Sequence, residues 1–189
     1  QHGILADYLM RAFPERLHGS PSVREQSVLG LARKCRFEER HALHVAALAL
    51  ELFDSARILN LHKADDAARS LLRYAALLHD IGIFIAFTDH HAHSRYLIHN
   101  TELLGFTARD IDIMAHTAYA HRKRPSKKDP SLAGLDDDAA ELVRLLCVFL
   151  ILAERLDRSH CGLVRAARFV GYGTKLVLEL DAAAHCPIE

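Results

Sequence analysis

Residues 71–82 read Leu71-Leu72-Arg73-Tyr74-Ala75-Ala76-Leu77-Leu78-His79-Asp80-Ile81-Gly82. The apolar run predicts a helix that ends at the His-Asp pair, because a glycine follows two residues later. His79 lies one helical turn after the alanines, so its imidazole continues the buried face. At a helix end the side chains of His79 and Asp80 can converge on one cation. The alternative is a core histidine that only needs a hydrogen-bond partner.

The composition indicates one domain of ordinary size with a substantial core. The chain has 189 residues, of which 50% are hydrophobic, and this allows a single packed unit. Its 24 basic residues balance its 24 acidic residues, so the overall charge does not favour nucleic acid or a membrane as partner. Fourteen histidines are unusual, and many lie between His79 and His121. This enrichment points to metal ligation or proton handling.

The cysteines and the hydropathy bear on the cellular compartment. Four scattered cysteines, without a Cys-x-x-Cys pair, are expected to be reduced structural thiols in a cytoplasmic protein: Cys35, Cys147, Cys161 and Cys186. We find no signal peptide and no apolar run long enough to span a bilayer. The chain starts at Gln1 and ends soon after strand-like segments, so we expect a fragment of a longer protein.

Helical periodicity dominates the chain up to Asp157. The predicted helices cover about residues 4–12, 23–34, 38–60, 65–78, a short segment up to 100, 107–120 and 136–157. Capping residues support the second and sixth of these, with Ser22 before Glu25 and Thr107 before Asp110. After Gly162 two strands are predicted, 163–170 and 175–180, with residues 171–173 as the turn. The sequence therefore predicts an all-α bundle with a short C-terminal β hairpin.

Three predicted helices carry a metal-capable side chain where a leucine would be expected. These side chains are His41, the His79-Asp80 pair and Asp157. If the helices pack together, two imidazoles and two carboxylates meet, a donor set that suits a divalent metal such as Mn, Fe, Mg or Zn. A metal site with open positions lowers the pKa of bound water and permits attack on phosphorus or carbon. Each residue taken alone also has an explanation without metal: Asp157 could form a salt bridge to an arginine, and His41 could be a core histidine with a hydrogen-bond partner.

Other residues are candidates for substrate contacts. His91, His93 and His121 could bind a second metal or donate hydrogen bonds to a leaving oxygen. A basic loop concentrates positive charge that attracts polyanions and makes their binding salt-dependent: Arg122, Lys123, Arg124, Lys127 and Lys128. Because the loop contains no aromatic residue for base stacking, it favours a phosphate chain over single-stranded nucleic acid. The alternative is an ordinary solvated loop.

The order of the candidate ligands resembles the HD phosphohydrolase superfamily, in which a histidine, a His-Asp pair and a distant aspartate lie on successive helices. Longer blocks resemble the C-terminal part of Ppx/GppA exopolyphosphatases: residues 3–9, 41–45, 77–82, 91–98, 104–106, 121–123 and 156–160. This resemblance implies an HD-like helical bundle over residues 1–160 and the start of a small β-containing appendage over 161–189. It also implies that the family's main active site lies in N-terminal actin-like domains, and no phosphate-cradling glycine loop precedes a helix in this chain.

The resemblance implies a parent enzyme that hydrolyses phosphoanhydrides of inorganic polyphosphate or guanosine pentaphosphate. Within this chain the expected catalytic residues are His79, Asp80 and His121, and the expected metal ligands are His41, His79, Asp80 and Asp157. Three functions remain open: a polyphosphate-binding domain of the parent, a stand-alone metal-dependent HD phosphohydrolase, and a non-catalytic dimerisation module. We expect a homodimer that binds neither nucleic acid nor membrane.

Overall fold

The structure is a computed structural model that describes residues 21–183. The described helices are α1 (Val23–Lys34), α2 (Glu39–Ile58), α3 (Asp66–Leu78), α4 (His90–His99), α5 (Ala108–Tyr119) and α6 (Asp137–Leu156). Short 3₁₀ turns cover Ile81–Phe84, Ala120–Arg122 and Pro130–Leu132, and a hairpin follows with strands β1 (Val164–Tyr172) and β2 (Lys175–Ala182). The predicted class, an all-α bundle with a C-terminal β hairpin, is confirmed. The helix predicted over residues 4–12 lies outside the described residues.

Side-chain caps fix where several helices begin. Ser22 and Asp65 each accept a hydrogen bond from a backbone N–H in the first turn of α1 and α3. Thr107 and Asp110 form the predicted reciprocal capping box at α5. Asp136 caps α6 in the same way as the other acceptors. Such caps satisfy backbone donors that have no partner inside the helix, so these boundaries were predictable to within one or two residues.

Helix α2 lies at the centre of the bundle. Its side chains are buried over almost the whole length of the helix, and Leu43, Leu48 and Leu52 are fully enclosed. Each leucine removed from water contributes about 2 kcal/mol. Helices α3 and α6 pack against α2 on its inner faces, and their apolar residues belong to the same core. This packing brings the ends of α3 and α6 close to the start of α2.

The hairpin is antiparallel and rests on α2. Tyr172 pairs with Lys175, so β1 is longer than predicted and the turn is the two residues 173–174 rather than 171–173. Gly173 has a φ of +60°, a conformation that glycine adopts without strain. Backbone N–H groups of β1 donate to side chains of α2, as in the 3.0 Å bond from Phe169 N to Ser55 Oγ. The helix thereby satisfies part of the outer edge of β1.

The cysteines differ in state. Cys35 and Cys147 are buried free thiols, as predicted. Cys161 is disulfide-bonded, which corrects the expectation that all four cysteines are reduced. Across residues 21–183, no helix combines the length and apolar character that crossing a membrane requires.

Candidate metal centre

Four buried histidines share one orientation. In each, Nδ1 lies within hydrogen-bond distance of an acceptor oxygen: His41 with Asp157 (2.8 Å), His79 with Ala76 (2.7 Å), His90 with Phe87 (2.9 Å) and His121 with Ala118 (2.7 Å). Three of these acceptors are backbone carbonyls, which cannot donate, so Nδ1 carries the hydrogen in those rings. Each ring then presents Nε2 to the interior. Histidines that bind metals are held in this way, by a hydrogen bond at the other ring nitrogen.

A first group of donors forms where α2, α3 and α6 meet. His41 Nε2 and His79 Nε2 lie 3.1 and 3.0 Å from the same oxygen, Oε2 of Glu154. Asp80 Oδ2 is 3.5 Å from His79 Nε2. All four ligand atoms lie within 4.8 Å of one another. Two imidazoles and two carboxylates at this spacing can hold one divalent cation.

A second group shares Asp80 with the first. Asp80 Oδ1 lies 3.3 Å from His90 Nε2 and 3.6 Å from His121 Nε2, and the two Nε2 atoms are 3.2 Å apart. Because Asp80 uses Oδ2 toward the first group and Oδ1 toward the second, its carboxylate can bridge two sites. The residues therefore suit one cation or a pair.

The polar atoms of the second group indicate a fit to a cation. Asp80 Oδ1 is buried and has no hydrogen-bond partner in the described structure, an arrangement that is costly unless something compensates it. Burial, followed by the charge of His79, lowers the pKa of His121 to about 3, so that ring is neutral and its Nε2 offers a lone pair. A cation placed between Asp80 Oδ1 and His121 Nε2 would satisfy both atoms.

In the first group, protons supply the positive charge that a metal would otherwise provide. Burial lowers the pKa of His41, but hydrogen bonds to Asp157 and Glu154 outweigh it and raise the pKa to about 10. Burial likewise opposes ionisation of His79, yet the charges of Asp80 and Glu154 raise its pKa. The hydrogen bonds from these rings lower the pKa of Glu154 despite its burial. A divalent cation would compete with these protons.

Asp157, which was predicted to be a metal ligand, does not belong to either group of candidate ligand atoms. It is the C-terminal cap of α6 and is 1% exposed. Its Oδ2 accepts from His41 Nδ1, and its Oδ1 accepts from Gly162 N at 2.8 Å. Asp157 thus orients a candidate ligand, while Glu154, which the sequence analysis missed, faces the candidate cation site. The missed signal was its position one helical turn before Asp157 on the inner face of α6.

Among the clustered histidines, His90 is the one that reaches the site. It begins α4, whereas His91 packs on Tyr119 with ring centroids 5.0 Å apart and His93 lies beside Gly82. A Cβ at Gly82 would lie 2.0 Å from His90 O and 2.8 Å from His93 Cβ. Glycine at this position therefore permits the close packing of α4 that places His90 at the candidate cation site. The predicted roles of His91 and His93 in substrate binding stay predictions.

Four of the candidate ligands line a pocket of about 420 Å³: Asp80, Glu154, His90 and His121. Its lining residues are Asp80, Ile83, Phe87, His90, His121, Arg122, Glu154, Arg155, Arg158 and His160. Of the predicted basic loop, Arg122 lines this pocket. Arg124 instead donates to the carbonyl of Arg144 on α6, and Lys123, Lys127 and Lys128 are exposed outside the lining. Two further pocket arginines were not predicted: Arg155 at the end of α6 and Arg158 just beyond it.

Comparison with known proteins identifies the family. The family model described as Ppx/GppA phosphatase, domain III, matches residues 23–183. The chain belongs to the Ppx/GppA phosphatase family. This agrees with the resemblance noted from the sequence and extends over every described helix and the hairpin.

Relatives in this family include proteins named guanosine-5'-triphosphate,3'-diphosphate pyrophosphatase. The one from Pseudoalteromonas translucida is 29% identical over 154 residues, covering 81% of this chain and 31% of the relative. The one from Vibrio parahaemolyticus is 27% identical over 180 residues, covering 95% and 35%. The Aeromonas hydrophila protein is 30% identical over 137 residues, covering 70% and 27%. The chain thus spans about a third of the length of these Ppx/GppA relatives.

Proposed function

We propose that this domain holds a divalent-metal centre of the HD type, and that its parent protein hydrolyses terminal phosphoanhydrides of inorganic polyphosphate or guanosine pentaphosphate. The observation that carries the proposal is the convergence of four histidine Nε2 atoms on the Asp80 and Glu154 carboxylates, which themselves line the pocket. Family membership and the names of the relatives support the choice of phosphoanhydrides.

The donor set suits Mn, Fe, Mg or Zn, since imidazoles combined with carboxylates serve transition metals well and carboxylates also serve Mg. His41, His79, Asp80 and Glu154 would hold one ion, and Asp80, His90 and His121 a second. When bound, such an ion supplies Lewis-acid stabilisation of a phosphoryl oxygen and makes water a better nucleophile. Asp157 fixes the orientation of His41.

Within this proposal the predicted catalytic residues have distinct tasks. His79 is fully buried and fixed by the Ala76 carbonyl, so it holds its position during turnover. Asp80 bridges the two donor groups. If only the first ion is bound, the neutral His121 keeps its Nε2 lone pair at the pocket and can accept a hydrogen bond from a water molecule there. These roles require substrate to enter the pocket.

We further propose that the basic loop helps to recruit polyphosphate to this pocket. Its lysines are exposed, so they attract a polyanion at long range and their effect is weakened by salt. The parent is proposed to act in the cytoplasm as a homodimer. An exposed apolar segment at the rim of the pocket supports an interface, with Phe84 56% and Phe87 76% exposed.

The decisive experiment measures metal content and phosphate release for Asp80→Asn. We expect the wild-type chain to retain divalent metal after gel filtration and the variant to lose most of it, together with any release of phosphate from tripolyphosphate. Asp138→Asn is the matched control, because Asp138 is an exposed carboxylate in the first turn of α6. Unchanged metal content in Asp80→Asn would refute the proposed centre.

A stand-alone HD phosphohydrolase is the second candidate. Residues of this chain form both donor groups and the pocket, which favours activity without the rest of the parent. The test is phosphate release by the isolated chain: turnover that disappears in Asp80→Asn supports it. Metal binding without turnover assigns catalysis to other parts of the parent.

A further inference from the structure

The wall of the pocket carries three positively charged arginines. Arg122, Arg155 and Arg158 line the pocket and are exposed. Within residues 21–183 none of the three forms an ion pair. Many other arginines of this chain do pair with acids: Arg24, Arg57, Arg69, Arg109, Arg144 and Arg168. The three pocket arginines therefore carry charge that is available to an anionic ligand.

The floor of the pocket carries negatively charged side chains instead. There the candidate metal ligands include the carboxylates of Asp80 and Glu154, which neutralise the two charges of one divalent cation. The arginine charges are left for a ligand. A ligand with a single phosphoryl group at the floor would leave these arginines without an anionic partner. A phosphate chain would place a second negative group beside them. Guanidinium groups suit phosphate because they donate two parallel hydrogen bonds.

The size of the pocket also permits more than one phosphate. A volume of about 420 Å³ falls within the range of small-molecule sites, roughly 300–1,000 Å³. The structure already positions part of the wall, because Arg155 follows Glu154 in the last turn of α6 and Arg158 comes directly after the C-terminal cap, Asp157. The floor and wall are therefore fixed relative to each other by one helix end.

From these observations we infer that Arg122, Arg155 and Arg158 bind the phosphate adjacent to the one held at the metal centre, so that the pocket selects phosphoanhydrides over phosphomonoesters. This inference rests on the proposed metal-dependent function and adds the residues that determine its specificity. The arginines act as specificity determinants and are not needed to hold the cation.

The test compares two ligands that cannot be hydrolysed at a P–O–P bond. Methylenediphosphonate carries two phosphorus groups and methylphosphonate carries one. Binding of each is measured by calorimetry with the protein in excess Mn²⁺. We expect the wild type to prefer the diphosphonate. In Arg155→Gln with Arg158→Gln its affinity should fall roughly 10-fold or more, because charge-assisted hydrogen bonds are lost, with little change for methylphosphonate.

The matched control is Lys34→Gln with Lys63→Gln, which removes the same charge at exposed positions outside the pocket lining and outside the basic loop. It should keep the preference for the diphosphonate. Arg122→Gln provides an independent variant, and thermal unfolding checks the fold of each. If the Arg155/Arg158 variant binds the diphosphonate as tightly as the wild type, or if the lysine control loses as much affinity, the inference is overturned.

Manganese content in the same samples separates this inference from the proposed function. Wild-type protein that binds manganese without preferring the diphosphonate overturns the arginine assignment alone. Protein that fails to bind manganese, yet loses diphosphonate affinity on removal of the arginines, overturns the metal centre and supports the assignment. If the protein neither binds manganese nor loses diphosphonate affinity when the arginines are replaced, both the metal centre and the arginine assignment are overturned.

Discussion

Asp157 Oδ2 and His41 Nδ1 form a 2.8 Å hydrogen bond across 116 residues of sequence. A second bond runs in the opposite sense, from His160 Nδ1 to Glu38 Oε2 at 2.7 Å. The rings of His41 and His160 stack with centroids 3.7 Å apart. The start of α2 and the end of α6 therefore each supply one histidine and one carboxylate to the other. This reciprocal pairing holds His41 in place from two sides.

Replacing Asp157 by Asn should weaken metal binding without abolishing it. The substitution removes the charge that orients His41, and loss of such an outer partner typically costs 10–100-fold in metal affinity. Glu154→Gln, which changes a candidate ligand, should cost more. Competition with a metal-sensitive dye measures both affinities. Equal affinities for the Asp157→Asn variant and the wild type would contradict the orienting role.

The metal-free domain should lose stability at alkaline pH. The folded-state pKa of His41 is about 10, above its ordinary value of 6.5, so its stabilisation is fully present below about pH 6.5 and is lost as pH rises toward 10. For Glu154 the pH dependence of stability is reversed, because the pKa of this carboxylate is lowered. Its contribution to stability is present above its ordinary pKa and declines in acid. Thermal unfolding with a chelator should show the highest midpoint between these limits.

Addition of Mn²⁺ provides the control for this pH dependence. Bound metal replaces the protons on the histidines, so the alkaline loss of stability should become smaller and metal binding should release protons. A midpoint that does not change between pH 6.5 and 10 without metal would argue against the charged histidine pair.

Gly82→Ala should disturb the second donor group. The added methyl would lie 2.0 Å from the backbone oxygen of His90, so α4 must move, and we expect a loss of about 1–3 kcal/mol or more in the free energy of unfolding. Gly30→Ala is the matched control, because a Cβ at Gly30 meets nothing within 4 Å. In helix α1 that change should stabilise by roughly 0.5–1 kcal/mol. Urea unfolding distinguishes the two, and equal effects would show that the close packing at Gly82 is unimportant.

Removing Lys127 and Lys128 should weaken binding of long-chain polyphosphate in a salt-dependent way. Both lysines are exposed, so each contributes mainly by counterion release, and the slope of log affinity against log salt should fall by roughly one per lysine. Filter retention at several salt concentrations gives this slope. If the slope is unchanged, the basic loop does not recruit polyphosphate.

The helices and their ends were predictable because their signals are local. Thr107 and Asp110 lie three residues apart and cap α5 as the sequence indicates. The hairpin was predictable in its strands but its turn was misplaced, since Gly171 and Gly173 are both acceptable turn residues in sequence. Pairing of Tyr172 with Lys175 decides between them, and pairing is not a local property.

The candidate site was only partly predictable for a similar reason. His41 and His79 continue buried helix faces, and this periodicity revealed them, while Asp80 was found because it directly follows His79 at a helix end. The choice of His90 over its neighbours depends on the residue at which α4 starts, where Asp89 has a φ of +53°. Whether Glu154 or Asp157 faces the candidate cation site depends on how the end of α6 meets α2. Neither relationship is encoded in a short stretch of sequence.

The most direct test of the account is a crystal of the chain grown with Mn²⁺ and measured for anomalous scattering. The account predicts an anomalous peak within coordination distance of His41 Nε2, His79 Nε2 and the Asp80 and Glu154 carboxylates. Absence of a peak among these atoms, in a crystal with manganese bound elsewhere on the protein, would contradict the proposed centre.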